Sequence, residues 1–177
     1  MKVPGLTIAL SILMAAARGL VAEEPAHHQD DMADCPMKAD HAAGVDDRGD
    51  KGMGFSHMKT THHFRIGIDG GAIEVTANDA NDQTSRDQIR GHLAHIATMF
   101  GQGNFDIPMF VHDQKPPGAD VMERMKSSIV YKYEEMETGG RVRITTADPQ
   151  ALRAVHDFLR FQIKEHRTGD PMEVATK

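Results

Sequence analysis

The chain has 177 residues, a formal net charge of −6, 40% hydrophobic residues and 26% charged residues. This length allows one domain of ordinary size with tails, and the composition is that of a globular protein with a core. Aromatic residues make up only 5% and tryptophan is missing, which argues against a large aromatic ligand pocket. The basic residues are scattered among acids, so the concentrated basic surface that nucleic-acid binding requires is not formed and no nucleic-acid partner is predicted.

The first 22 residues have the pattern of a secretory signal peptide. Lys2 gives a positive start, and an apolar run extends from Leu6 to Ala17. This run is shorter than the roughly 20 apolar residues that a membrane-spanning helix needs. We therefore predict cleavage after Ala17 or Ala22, export to the periplasm or beyond, and no membrane span once the signal peptide is removed.

Residues 23–57 are predicted to form a flexible arm, because most of this segment is rich in Asp, His, Ala and Gly and almost free of large apolar residues. Thiolate, thioether and imidazole ligands together suit Cu(I), and they also suit Zn(II). The sequence Cys-Pro-Met resembles the opening of small heavy-metal-binding modules of copper transporters, although Lys38 stands where a His is common. The alternative is a polar linker with incidental histidines. The candidate ligands of the arm are His27, His28, Met32, Cys35, Met37 and His41.

Residues 58–167 are predicted to form a domain with an internal repeat. The segment 70–79 matches the segment 139–148 in spacing and pattern, and both begin with Gly-Gly after an alternating apolar run. Gly-Gly between two alternating runs predicts a β-hairpin. Each second strand leads into an Asp and then a helical pattern. The predicted fold class is therefore α+β, with two tandem strand–strand–helix units that form a four-stranded antiparallel sheet with the helices on one face.

Capping signals and apolar spacing predict the two repeat helices. The first starts with a capping box at Ser85 and Gln88, and the second with Asp148 as N-cap followed by Pro149. Their predicted buried faces are Ile89, Leu93, Ile96 and Phe100 in the first helix and Leu152, Val155, Leu159 and Ile163 in the second.

The remaining segments are assigned by composition. Residues 103–118 are predicted to be an ordered loop, a short helix follows near 119–126, and residues 168–177 are predicted to be a disordered tail. Phe158 and Phe161 fall outside the predicted buried face of the second helix. They are candidates for a homodimer surface, and the alternative is a contact with the C-terminal tail.

A second candidate metal site lies on the first repeat helix. His92, His95 and Met99 form one stripe beside its buried face, at about 100° per residue. His62 and His63 alternate across the first strand, so only one of them can face the helices. An inward His62 would meet the stripe. The alternative is that these are ordinary histidines at the edge of the core.

No catalytic motif is found in the sequence: it lacks Gly-x-Ser-x-Gly, a phosphate-binding Gly-rich loop, His-Glu-x-x-His and Cys-x-x-Cys. We therefore predict neither catalytic residues nor an organic cofactor. A hydrolase or lyase would need a pocket that joins His112 with a carboxylate such as Asp106 or Asp113.

Several segments together resemble a largely uncharacterised family of small exported bacterial proteins that are rich in histidine. The resemblance covers about residues 50–170 and implies an exported, histidine-rich module without a mechanism. Members that carry an aspartate carbamoyltransferase label do not extend that activity to this chain, which is much shorter than such a catalytic subunit and lacks its Ser-Thr-Arg-Thr phosphate-binding run. The matching segments are Met53-Gly-Phe, Lys59-Thr-Thr-His-His-Phe, residues 73–79, residues 85–90 and residues 158–163.

These patterns predict an exported metal-binding protein that handles copper, with zinc as the second candidate ion. The alternative is a protein-interaction or self-association module of the cell envelope that binds no metal. The predicted ligands are His62, His63, His92, His95 and Met99 on the domain and Cys35, Met37, His41, His27 and His28 in the arm.

Overall fold

Residues 36–175 are described by a computed structural model, and their order of elements follows the predicted repeat. The helices are α1 (Pro36–Met53), α2 (Gln83–Gly101), α3 (Asp106–His112), α4 (Ala119–Arg124) and α5 (Pro149–Glu165). The strands are β1 (Thr60–Gly67), β2 (Gly70–Ala77), β3 (Ile129–Met136) and β4 (Gly139–Thr146). The α+β class is confirmed. Within this described part of the chain, no helix combines the length and the apolar character that crossing a membrane requires.

The four strands form one antiparallel sheet in the order β1-β2-β4-β3, so β2 and β4 pair at its centre. The glycine pairs open β2 and β4 after two-residue turns. Close packing requires them: a Cβ on Gly71 would overlap the carbonyl oxygen of Arg65 and the side chain of Leu159. The Gly-Gly signal therefore marks the start of each central strand as well as the hairpin.

Both repeat helices pack on the same face of the sheet, and each covers the hairpin of the other unit. The principal strand contacts of α2 are with β4 and β3, and those of α5 are with β1 and β2. The core between them is closed by fully buried side chains from both units. Its central members are Phe64, Val75, Leu93, Val142, Ile144 and Leu159.

Helix α1 occupies part of the segment that was predicted to be a flexible arm, and for these residues the prediction is wrong. Pro36–Met53 is helical, buries Val45 at 1% exposure and packs beside α3. The low apolar content concealed this helix, because polar contacts attach it to the domain. These contacts are His41 with Glu165, Asp46 with Arg167, and Arg48 with the carbonyl oxygen of Val111.

The C-terminal segment 168–175 also differs from the disordered tail that was predicted. The amide of Ala175 donates to the carbonyl oxygen of Ile66 at 2.9 Å, and the carboxylate of Asp170 accepts from the amide of Phe64 at 2.9 Å. These bonds cover the outer edge of β1. The carboxylate of Asp170 binds this segment to β1, and the composition of the segment does not reveal this contact.

The predicted homodimer surface is wrong for Phe158. This ring is 1% exposed and packs edge-to-face against Phe100 and Phe105, at centroid distances of 5.7 and 5.8 Å. Helix α5 is covered by both the sheet and α4, so its buried face is wider than the apolar spacing predicted. Phe161 is half-buried, with its ring 4.9 Å from that of His112. The two aromatic residues therefore do not share an exposed surface.

Local signals placed some element boundaries correctly and missed others. Asp148 caps α5 as predicted, accepting from the amides of the first turn, and α4 lies where a short helix was expected. Helix α2 begins earlier than predicted, because its N-cap is Asp82, which accepts from the amide of Ser85 at 3.0 Å. The predicted loop at 103–118 contains α3.

Candidate metal centre

His62 faces the helices. It is the third residue of β1 and shares its face with Phe64, whose ring centroid is 6.5 Å away. His63 points to the opposite face of the strand, where its Nδ1 lies 2.9 Å from the carboxylate of Asp170. Asp170 is 8% exposed and also accepts from Arg65. The structure thus separates the two neighbouring histidines and gives His63 a partner in the C-terminal segment.

His92 lies across from His62, on α2. The ring of Phe55 contacts both imidazoles, with centroid distances of 6.2 Å to His62 and 5.5 Å to His92. Both imidazoles line one cavity of about 60 Å³, and Met53 at the end of α1 lines it as well. We call this space the His–Met cavity. Its remaining walls are mostly apolar, formed by residues that include Phe64, Ile73, Val75, Leu93, Ile96, Phe100, Val111 and Phe158.

The other two members of the predicted stripe lie away from this cavity. His95 is exposed, and Met99 is partly buried against the core. A step of three residues turns a helix by about 300°, which is enough to carry His95 from the cavity wall to the surface. Among the described residues, the predicted stripe therefore contributes only His92 to the cavity.

Two histidines that were not among the predicted ligands, His166 and His112, extend the cluster. His166 directly follows α5, and its ring stacks on that of His62 at 5.6 Å with 9° between the planes. The ring of His112, at the end of α3, lies 5.0 Å from that of His166. A basic residue after a helix is ordinarily explained by the helix dipole, so its position alone gave no signal. A continuous file of rings runs from His92 through Phe55, His62 and His166 to His112.

These four imidazoles favour the neutral form. Burial, followed by the proximity of other histidines, lowers the pKa of His62 to about 4. Burial likewise lowers the pKa of His92 to about 4. It also lowers the pKa of His166 and His112 below their ordinary value. Neutral imidazole has a free ring nitrogen, so at neutral pH the cluster presents ligands that need not release a proton before binding a metal.

A buried amide completes the wall of the cavity. Gln162 is 4% exposed and lines the cavity, and its Oε1 accepts from Nε2 of His112 at 2.9 Å. Within residues 36–175, Nε2 of Gln162 and Nδ1 of His112 have no hydrogen-bond partner. The Glu165 carboxylate is 3.6 Å from that Nδ1, beyond hydrogen-bond range, and it accepts from Nε2 of His41 at 2.7 Å instead. A buried polar atom without a hydrogen-bond partner opposes folding, and among the described residues Nε2 of Gln162 is such an atom in the wall of the cavity.

An open polar cleft of about 270 Å³ adjoins the cavity. His62 and Met53 line both spaces, so these two side chains lie where the cleft and the cavity adjoin. The other polar residues of the cleft are Asp46, His57, Thr60, Thr61, His166, Arg167 and Thr168.

The predicted ligands of the arm lie mostly beyond the structure. Cys35, His27 and His28 are outside the described residues, and Met37 is in the first turn of α1. His41 is exposed and bonded to Glu165. Within residues 36–175, no group of three or more His, Cys, Asp and Glu side chains is arranged to hold a metal ion. The His–Met cavity is a different kind of site, because it has two imidazoles and a thioether.

The structure does not bring His112 together with Asp106 or Asp113 in one pocket. His112 is 1% exposed and is hydrogen-bonded to Gln162. Asp106 and Asp113 are both exposed at the ends of α3. The imidazole therefore lies inside the domain while the two candidate carboxylates lie on its surface.

Comparisons with protein-family models, with curated proteins and with solved structures find no match for this chain.

Proposed function

We propose that this protein is an exported copper-binding protein that holds Cu(I) in the His–Met cavity. The observation that carries the proposal is that Met53, His62 and His92 line one small cavity with otherwise mostly apolar walls. Thioether ligands select Cu(I), and imidazole is a good copper ligand. The three side chains come from α1, β1 and α2, so the domain fold brings together ligands from three separate elements.

The charge of the surroundings favours a monovalent ion. The cost of moving an ion from water into an apolar space rises steeply with its charge, and all three candidate ligands are neutral. Protein sites for Zn(II) commonly offset its two charges with thiolates or carboxylates. We therefore expect Cu(I) to bind more tightly than Zn(II) or Cu(II).

The arm is suited to capture the ion before it enters the domain. Cys35 and Met37 are at the N-terminal end of α1 in the sequence, and Met53 is at its C-terminal end. Because α1 is a helix of 18 residues, about 27 Å long, the soft ligands of the arm form in this proposal a separate capture site, which acquires copper outside the cytoplasm after removal of residues 1–22.

Competition with a chromogenic Cu(I) chelator, under anaerobic conditions, tests the proposal. The mature chain is used with Cys35→Ser, so that the arm cannot supply a thiolate. In this background, Met53→Leu, His62→Ala and His92→Ala are each expected to weaken Cu(I) binding by more than about 100-fold, because loss of groups that merely support metal ligands already costs 10- to 100-fold. Titration calorimetry with Zn(II) and Cu(II) measures the selectivity.

Two matched histidine variants serve as controls. His95→Ala changes the same residue type one turn further along α2, and His63→Ala changes the next residue of β1. Both are expected to retain the Cu(I) affinity of the parent. Micromolar or weaker Cu(I) binding by the parent, or an equal loss in the controls, would contradict the proposed site.

A further inference from the structure

We propose, on the basis of the copper site above, that the His–Met cavity also binds a small exogenous ligand and that Gln162 holds it. The ligand class is a molecule or ion of two or three heavy atoms that coordinates Cu(I) at one end and accepts a hydrogen bond at the other. Gln162 is then a positioning residue that contacts the ligand of the metal.

The buried amide of Gln162 is the observation that points to a ligand. Its side chain lines the cavity together with Met53, His62 and His92. Its oxygen is already bonded to His112, while its nitrogen has no partner within the described part of the chain. A buried donor left without a partner opposes folding, and an acceptor in the cavity would remove this cost.

Rotating the amide does not remove the unpaired atom. With the two ends of Gln162 exchanged, its nitrogen would donate to His112, and its oxygen would lose the partner it has now. His112 offers one ring nitrogen in this contact, so it can satisfy only one end of the amide at a time. In either orientation one polar atom of the buried amide remains to be satisfied.

The cavity has room for an ion and a small ligand only. Its volume of about 60 Å³ is several times the roughly 10–15 Å³ that one water needs, and well below the roughly 150 Å³ of a cavity that holds benzene. Three protein ligands leave one open position on a tetrahedral ion, and in metalloproteins such a position takes water or a substrate. In this proposal the open position and the unpaired amide share the same small space.

Carbon monoxide is the probe, because it binds Cu(I) and its stretching vibration reports on its surroundings. The Cu(I)-loaded mature protein is titrated with CO and followed by infrared spectroscopy. We expect one CO band for the parent. In Gln162→Leu, we expect the CO affinity to fall by about threefold to tenfold, as the loss of one hydrogen bond implies, and the band to move to higher frequency.

Two further variants keep the result interpretable. Gln150→Leu makes the same change at an exposed position in the first turn of α5, and it is expected to leave affinity and band unchanged. Gln162→Asn keeps the amide but shortens it by one methylene, and it is expected to reproduce part of the loss. If Gln162→Leu fails to fold, the CO affinity and band of Gln162→Asn test the role of the amide.

The outcomes separate this inference from the copper site itself. If the parent protein binds no Cu(I), the proposed function fails and this inference fails with it. If Cu(I) binds but CO does not, or if CO binds equally in the parent and in both Gln162 variants, the copper site stands and only the role of Gln162 is overturned.

Discussion

The two strand–strand–helix units have the same arrangement of elements but carry different side chains at equivalent positions. The third residue of the first edge strand, β1, is His62, and the third residue of the second edge strand, β3, is Tyr131. His62 belongs to a file of imidazoles that borders a cleft. Tyr131 packs against Phe100 at 5.8 Å, and its hydroxyl is buried without a partner among the described residues. One unit contributes residues to the candidate site, and the equivalent position of the other unit serves packing alone.

The elements outside the repeat explain this difference. Helix α1 carries Met53 to the first unit, and the segment after α5 carries His166 to the same place. The C-terminal segment also covers the edge of β1 through Asp170. Within residues 36–175, β3 has no strand or segment hydrogen-bonded along its outer edge. Additions to one half of a symmetric scaffold have therefore produced both the candidate chemistry and the edge protection.

Acidification is expected to have the largest effect on stability, because it protonates the buried imidazoles of the first unit. The pKa of His62 and of His92 is about 4 in the folded protein, against about 6.5 in an unfolded chain. The unfolded state then binds more protons between these two values. The stability of the metal-free protein is therefore expected to be complete above about pH 6.5 and to fall towards pH 4, by on the order of 3 to 6 kcal/mol for the two residues together.

Urea denaturation at neutral pH and at about pH 4.5 measures this fall. His62→Asn is expected to flatten the dependence, because it removes one titrating group from the cluster. His95→Ala, which changes an exposed histidine on the same helix, should alter the dependence much less, because burial contributes more than the charge of His95 to the lowered pKa of His92. An equally steep dependence in His62→Asn would show that the cluster is not its origin.

Equivalent glycines of the two units should differ in their tolerance of a side chain. A Cβ on Gly71 would overlap the backbone of Arg65, which cannot move aside. A Cβ on Gly140 would meet the ring of Tyr133 at 2.9 Å and Leu93 at 3.3 Å, and both side chains can shift. We expect Gly71→Ala to cost more than about 3 kcal/mol and Gly140→Ala about 1–2 kcal/mol, measured by denaturant unfolding. Equal costs would mean that the two central strands are packed alike.

Loss of the Asp170 carboxylate should expose the protected edge of the first unit. Asp170→Ala is expected to lower the free energy of unfolding by about 2 kcal/mol, since it removes charge-assisted hydrogen bonds from Phe64, His63 and Arg65. Faster hydrogen exchange at the Phe64 amide would report the opened edge. Glu173→Ala, an exposed change in the same segment, should remain within about 0.5 kcal/mol of the parent. Unchanged exchange at Phe64 would show that the segment does not depend on Asp170.

Removal of the Tyr131 hydroxyl should produce the smallest effect, and a favourable one. Tyr131→Phe is expected to raise the free energy of unfolding by about 1 kcal/mol, because a buried hydroxyl without a partner opposes folding. The half-buried Tyr133 of the same strand is the control, and Tyr133→Phe should be close to neutral. A loss of stability in Tyr131→Phe would mean that the hydroxyl has a partner in solution, such as an ordered water.

Most of the fold could be predicted from local patterns. The repeated Gly-Gly spacing predicted the hairpins, and Asp148 with Pro149 predicted the start of α5. Helix α1 could not be predicted in this way, since ion pairs and the buried apolar side chain of Val45 attach it to the domain. Contacts between distant charged residues leave no periodic pattern in the sequence.

Only part of the candidate site could be predicted. The inward direction of His62 could have been inferred, because it shares its parity on β1 with the buried Phe64 and Ile66. His166 and Gln162 could not be selected, since their places depend on where α5 ends against β1. Met53 was noted in the sequence only as part of a motif, and its role as a candidate ligand depends on the docking of α1.

The crossed packing of the two helices has a consequence for how the chain folds and how it could have arisen. Because α2 lies mainly on β3 and β4 and α5 mainly on β1 and β2, neither helix covers the edge strand of its own unit. A chain that ended after α2 would leave β1 uncovered, and its helix would keep only its smaller contact with β2. Such a half could satisfy both only by exchanging helices with a second copy of itself. The present domain has the architecture of that exchanged pair, joined into a single polypeptide.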